Sequence, residues 1–264
     1  MPQVSPAERL LQDLGVTDPR DIDLEVIAWQ LGVRIKYRHL DGCEARIAGD
    51  DKKAIISVRD DVSPGRKRFS IGHELGHWHY HRGRTLICRP EDIGQGSRNK
   101  PETERTADKY AADLLMPAYL FRKEAQGMRS LTWEGVKHLA DLFSSSITAT
   151  AIRVLDLDVL PAILVCHGVA GRKWFWRARS VPDRWFPQAE LSAESYAIDV
   201  LYGKRIGHAP VLMDAEAWFD RREAYGLQLY EQSIQVISKE VLTLLVPKDD
   251  EMLDDVDSNS SRRW

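Results

Sequence analysis

Arg68-Phe69-Ser70-Ile71-Gly72-His73-Glu74-Leu75-Gly76-His77-Trp78 is the stretch that decides how this chain folds. Its centre, His73-Glu74-Leu75-Gly76-His77, has the spacing H-E-x-x-H. On a helix, side chains four apart stand one above the other, so His73 and His77 share a face. Two imidazoles placed this way can take two corners of a Zn²⁺ tetrahedron. Glu74, beside the first of them, stands where a general base is needed. The spacing is the requirement, because one more residue would turn the second imidazole away by about 100°. The flanking residues predict the helix. Ser63-Pro64 reads as an N-cap followed by an N1 proline. His73, His77 and His81 fall on one stripe, while Ile71, Leu75 and Trp78 fall on the opposite, core-facing side. Gly72 and Gly76 lie between the stripes, where a second element could approach closely.

A second stretch complements the first. Glu104-Arg105-Thr106-Ala107-Asp108-Lys109-Tyr110-Ala111-Ala112-Asp113-Leu114-Leu115-Met116-Pro117 predicts a helix that buries Ala107, Ala111, Leu114 and Leu115 and stops at Pro117. Glu104 and Asp108 are again four apart. A catalytic zinc needs a third protein ligand and an open fourth position, and Glu104 can supply that ligand. Asp108 can accept a hydrogen bond from the outer ring nitrogen of a zinc histidine. The plainer alternative pairs Glu104 and Asp108 with Arg105 or Lys109 on a solvated face. Beside the histidine pair, the ligand reading is preferred.

These two motifs, in this order and at this separation, resemble the ImmA/IrrE family of metallopeptidases over about residues 20–155. The later glutamate, with an aspartate four beyond it, is also similar to the wider gluzincin pattern. The chain departs at Thr106, where many members carry a second acidic residue. The resemblance implies that His73, His77 and Glu104 bind the metal, that Glu74 is catalytic and that Asp108 supports a ligand from behind. It implies a zincin-like fold and a zinc metalloendopeptidase, with Mn²⁺ as the alternative metal. It further implies a substrate, a helix-turn-helix repressor cut to relieve repression of stress-response or mobile-element genes. Two other readings are a non-proteolytic regulator that binds the repressor through a structural zinc fold, and a DNA-binding regulator.

Composition agrees with a globular protein, 43% hydrophobic and with no run of eighteen apolar residues, so no membrane span is expected. The first residues lack the apolar core of a signal peptide. Cys43, Cys88 and Cys166 are scattered and odd in number, which suits a reducing cytoplasm rather than a disulfide framework. The net charge of −3 is concentrated at the end, because residues 248–264 hold six acids and three bases. That acidic tail is expected to be disordered.

The rest of the chain predicts an α+β protein. Residues 5–15 and 22–32 read as short helices, the second capped by Asp21 or Asp23. Residues 33–37, 45–48 and 54–58 read as the strands of a small sheet. A long loop is expected over 82–101, centred on Gly94-Gln95-Gly96-Ser97. His81 is read as a helix-end histidine rather than a ligand, and Tyr110 as a packed aromatic rather than an oxyanion donor. Residues 132–143 and 147–154 predict a helix-turn-helix-like pair. Arg153 is the second helix's sole base-reading candidate, which disfavours direct DNA binding. Beyond it, strands are expected at 162–167, 173–179, 211–213, 228–231, 233–237 and 239–245, with a helix over 190–201. The expected organisation is a zincin-like domain over 1–125 and a helix-turn-helix-like module over 126–158. A mixed α+β domain over 159–247, similar to the GAF-like sensor of some family members, and the tail over 248–264 complete it.

Overall fold

The computed structural model describes residues 4–82, 86–88, 101–237, 239–248 and 250–254. It is a mixed α+β protein with two sheets, and the chain divides into two compact units. The first comprises Met1–Glu124 and Leu139–Ser146; the second comprises Ala125–His138 and Ile147–Trp264. Among the described residues, no helix is long and apolar enough to cross a membrane.

The first unit opens with helix α1 (Pro6–Asp13), fixed by a capping box in which Ser5 and Glu8 exchange side-chain and backbone hydrogen bonds. Helix α2 (Leu24–Gln30) is capped by Asp23, whose carboxylate accepts the backbone N–H groups of Glu25 and Val26. Strands β1 (Val33–Arg38), β2 (Ala45–Gly49) and β3 (Ala54–Arg59) follow. Between β2 and β3, Asp50 accepts the N–H groups of Lys52 and Lys53 and so closes the hairpin turn. Then come helix α3 (Pro64–Tyr80), strand β4 (Leu86–Cys88), helix α4 (Glu102–Leu115) and helix α5 (Ala118–Ala125). The sheet order is β1-β3-β2-β4, with β1 parallel to β3 and the other pairs antiparallel. Helix α3 packs on β2 and β3 and also against α4, and Leu11, Ile56, Ile71, Leu75 and Leu114 are fully buried in this unit.

Strand β4 falls inside the expected long loop, so that loop is corrected at its one described segment. Residues 83–85 and 89–100, including Gly94-Gln95-Gly96-Ser97, lie outside the described residues.

Helices α6 (Trp133–Leu142) and α7 (Ile147–Asp156) lie where helices are expected over 132–143 and 147–154, and Leu139–Ser146 is assigned to the first unit. The second unit is built on strands β5 (Ile163–Gly168) and β6 (Gly171–Arg177), helix α8 (Ala197–Leu201), and strands β7 (Val211–Asp214), β8 (Gln228–Ile237) and β9 (Glu240–Pro247). These strands form an antiparallel sheet of order β6-β5-β9-β8-β7. Strand β5 is buried along its whole length, as a central strand with two covered faces should be. Glu231, on β8, is fully buried. It accepts hydrogen bonds from Ser195 Oγ (3.0 Å), Ala197 N (2.9 Å) and Trp218 Nε1 (2.9 Å).

Three expectations are corrected here. The two strands over 228–237 are one strand. The helix over 190–201 shrinks to Ala197–Leu201, because Ser192 Oγ accepts Glu194 N–H and Ser195 Oγ accepts Ala197 N–H, which offers the backbone turns instead of a helical ladder. The tail is ordered at its start: Asp250–Met252 form a 3₁₀ turn, Met252 is buried, and its carbonyl accepts Trp185 Nε1–H at 2.6 Å. Residues 255–264 lie outside the described residues.

Candidate metal centre

Helix α3 starts at the expected Ser63-Pro64, although Ser63 makes no side-chain cap bond. Its buried run extends from Ser70 to Trp78, so His73 and His77 are covered as fully as the apolar stripe. The cover is α4. A side chain at Gly76 would stand 2.9 Å from the Ala107 Cα, and one at Gly72 would stand 3.2 Å from that of Ala111. The absence of a Cβ at both positions lets the two helix backbones meet closely. Glu104, near the start of α4, is thereby carried to the histidines on α3.

There the side chains converge. His73 Nε2 lies 3.0 Å from His77 Nε2 and 3.1 Å from Glu104 Oε2. His77 Nε2 lies 3.4 Å from the same carboxylate oxygen. These three residues form a cluster able to hold a metal ion, and it is the one such cluster among the described residues. Two imidazole nitrogens and a carboxylate oxygen this close together can share one cation between them. Donors about 2.1 Å from a tetrahedral ion stand about 3.4 Å apart, which matches the observed separations to within a few tenths of an ångström. A set of two imidazoles and one carboxylate suits Zn²⁺, and it also accepts other divalent first-row ions.

The protonation of the cluster follows the same logic. Burial by itself would lower the His73 pKa. The Asp108 and Glu104 carboxylates outweigh burial and hold it up to about 9. Burial, reinforced by the neighbouring His73, pushes His77 down to about 4. Burial would raise Glu104, but its hydrogen bond from His73 and the field of His77 hold it below the usual carboxylate range. One proton on His73 therefore does what a cation would do for the whole cluster, and it keeps a second proton off His77.

The outer nitrogens are also engaged. His73 Nδ1–H donates to Asp108 Oδ1 at 2.9 Å, the role expected for Asp108. His77 Nδ1 stands 3.3 Å from His81 Nδ1. The residue read as a helix-end histidine thus backs the second imidazole, and its place four residues beyond His77 was the available signal. Glu74 is fully buried on the same helix. Tyr110 is packed, 3% exposed, with its ring stacked on His79 at 5.3 Å between centroids. Thr106 donates to the Glu102 carbonyl one turn back (2.8 Å).

Residues 28–155 match the sequence model of the IrrE N-terminal-like domain, a metallopeptidase domain that includes α3 and α4. No curated protein matches the chain. Among solved structures the chain is similar to a Mycobacterium tuberculosis transcriptional regulator, with a TM-score of 0.59 at 14% identity over 91% of this chain and 74% of that one. At that identity the likeness is one of fold. Residues 28–155 therefore carry the IrrE N-terminal-like domain that marks the ImmA/IrrE family of metallopeptidases.

Proposed function

We propose that this protein is a zinc-dependent, site-specific endopeptidase that cuts a helix-turn-helix transcriptional repressor and so relieves repression. The observation that carries the reading is the convergence of His73, His77 and Glu104 from two helices, with the buried Glu74 beside the first histidine. On this reading the first unit is zincin-like, and His73, His77 and Glu104 hold the ion, Zn²⁺ or alternatively Mn²⁺. Such an ion, when bound, polarises a carbonyl and acidifies a water. Glu74 takes the proton of the attacking water on its carboxylate and returns it to the leaving amine. Asp108 fixes the ring of His73 and its tautomer. The peptidase is assigned to residues 1–125, and the five-stranded unit over 159–247 is read as a GAF-like sensor. The site of action is the cytoplasm, where a repressor and its operator meet.

Two features bear on the alternatives. Glu74 favours an enzyme over a binding module, because a structural zinc fold needs no general base. Arg153 is 5% exposed, and Thr150–Leu155 of α7 are buried, which leaves that helix poorly placed to read a groove. The test is to incubate the metal-loaded chain with the helix-turn-helix repressor encoded nearest its gene, alongside Glu74→Gln. The reading expects one cut, made by the wild type alone. A repressor that binds both proteins and stays intact with Zn²⁺ and with Mn²⁺ would instead mark a binding module.

A further inference from the structure

We propose that the second unit carries a binding pocket for a small ligand that joins an oxyanion, phosphate or carboxylate, to a flat ring. The pocket is an open cleft of about 460 Å³, lined by Arg172, Arg184, Phe186, Gln188, Asp220 and Arg221, among others. That volume lies in the range of small-molecule sites, about 300–1,000 Å³. Three arginines and one aspartate among its lining residues give it a charge of +2 in a chain whose net charge is −3.

The arginines are held, not splayed into solvent. Arg221 makes a two-point pair with Glu223 (Nε to Oε2 3.1 Å, Nη2 to Oε1 2.9 Å), and its Nη1 donates to the Arg184 carbonyl. Arg184 Nη2 donates to the Asp254 carbonyl. The guanidiniums of Arg184 and Arg221 both lie over the buried Trp185 ring, 5.1 and 5.7 Å from its centroid. Arg172 lies 4.4 Å from the centroid of Phe186 and 5.2 Å from that of Phe175.

Two groups remain unspent. Arg184 Nε is buried and has no hydrogen-bond partner among the described residues. Phe186 is 55% exposed although it is a large apolar ring. Guanidiniums gathered around one cavity repel each other, and an anion between them removes that cost. Their planar donor fork matches the geometry of phosphate and carboxylate oxygens. Phe186, with Arg172 stacked against it, offers a wall on which a flat ring can lie.

The experiment is calorimetric titration of the full chain with phenyl phosphate, benzoate, inorganic phosphate and phenol. Phenyl phosphate or benzoate should bind saturably at millimolar concentration and at least about tenfold more tightly than phenol. Whichever of the two binds more tightly identifies the oxyanion. Arg172→Gln and Arg184→Gln should each weaken that binding about tenfold or more. Phe186→Ala should weaken the ring-bearing probes and spare inorganic phosphate; if Arg184→Gln does not fold, this variant and Arg172→Gln carry the test. Absence of saturable binding by every anion, or equal binding by wild type and Arg172→Gln, overturns the proposal.

Discussion

Alanine at Gly76 should damage the protein more than alanine at Gly72, although both changes improve helix propensity. A Cβ at 76 would lie 2.9 Å from Ala107 Cα, 3.0 Å from the Ala107 carbonyl oxygen and 3.0 Å from Tyr110 Cβ. A Cβ at 72 would lie 3.2 Å from both Ala111 Cα and Cβ. Comfortable carbon contacts sit at about 3.5–4.0 Å, so the deficit is larger at 76, and it falls on backbone that cannot rotate away. Overpacking of this kind costs about 1–3 kcal/mol. The gain in propensity returns about 1 kcal/mol. With the tighter site at the upper part of that range and the looser one at its lower end, the net loss is about 1–2 kcal/mol for Gly76→Ala and close to zero for Gly72→Ala. Relief requires α3 and α4 to part by tenths of an ångström, beside donors now 3.0–3.4 Å apart, so metal affinity should fall with stability. With two units in the chain, a local probe is preferable to a single melting curve. Amide hydrogen exchange in α3 and α4 should speed up by about 5–30-fold in Gly76→Ala. Exchange as slow as in the wild type, or a larger effect from Gly72→Ala, would mean that the close approach at Gly76 does not limit the packing of α3 on α4.

Glu74→Gln should keep its metal and lose about 10²–10⁴ in turnover, read from metal stoichiometry and cleavage rate on the same sample. His81→Ala should weaken metal affinity about tenfold, measured by chelator competition, because His77 Nδ1 loses its neighbour at 3.3 Å; His81→Gln should restore part of it. In the second unit, burial pushes His167 down to about 4 from its ordinary 6.5, so the folded state favours the neutral ring. Its contribution to stability is complete above about pH 6.5 and is lost as pH falls toward 4, since the unfolded chain takes up the proton first. A pH series of urea midpoints should show this slope in the wild type and a flatter one in His167→Gln.

Elements governed by a single periodicity were legible in the sequence. The helix over His73 and His77, the small-residue notches at Gly72 and Gly76, and the apolar face of α4 each repeat at helical spacing, and each is seen in the structure. Strands β1, β2 and β3 were legible for a similar reason, being bounded by turn residues such as Asp50. What escaped depended on distant partners. Strand β4 is three residues long and exists by pairing with β2, which nothing in Leu86-Ile87-Cys88 announces. The parallel pairing of β1 with β3 is likewise set by the chain's path rather than by local pattern. The serines at 192 and 195 diverted a helical pattern into turns, one of them tied to Glu231 thirty-six residues away. Met252 was hidden in an acidic segment because its burial depends on the Trp185 side of the fold.

On the proposed reading, His73, His77 and Glu104 hold one catalytic metal. X-ray absorption at the zinc edge, on the full chain loaded with one equivalent, tests it most directly. The expected spectrum is that of a low-coordinate site with two imidazole nitrogens and oxygen ligands, and Glu104→Ala should lose both that signature and tight binding. An unchanged spectrum and affinity in Glu104→Ala, or a site containing sulfur, would contradict it.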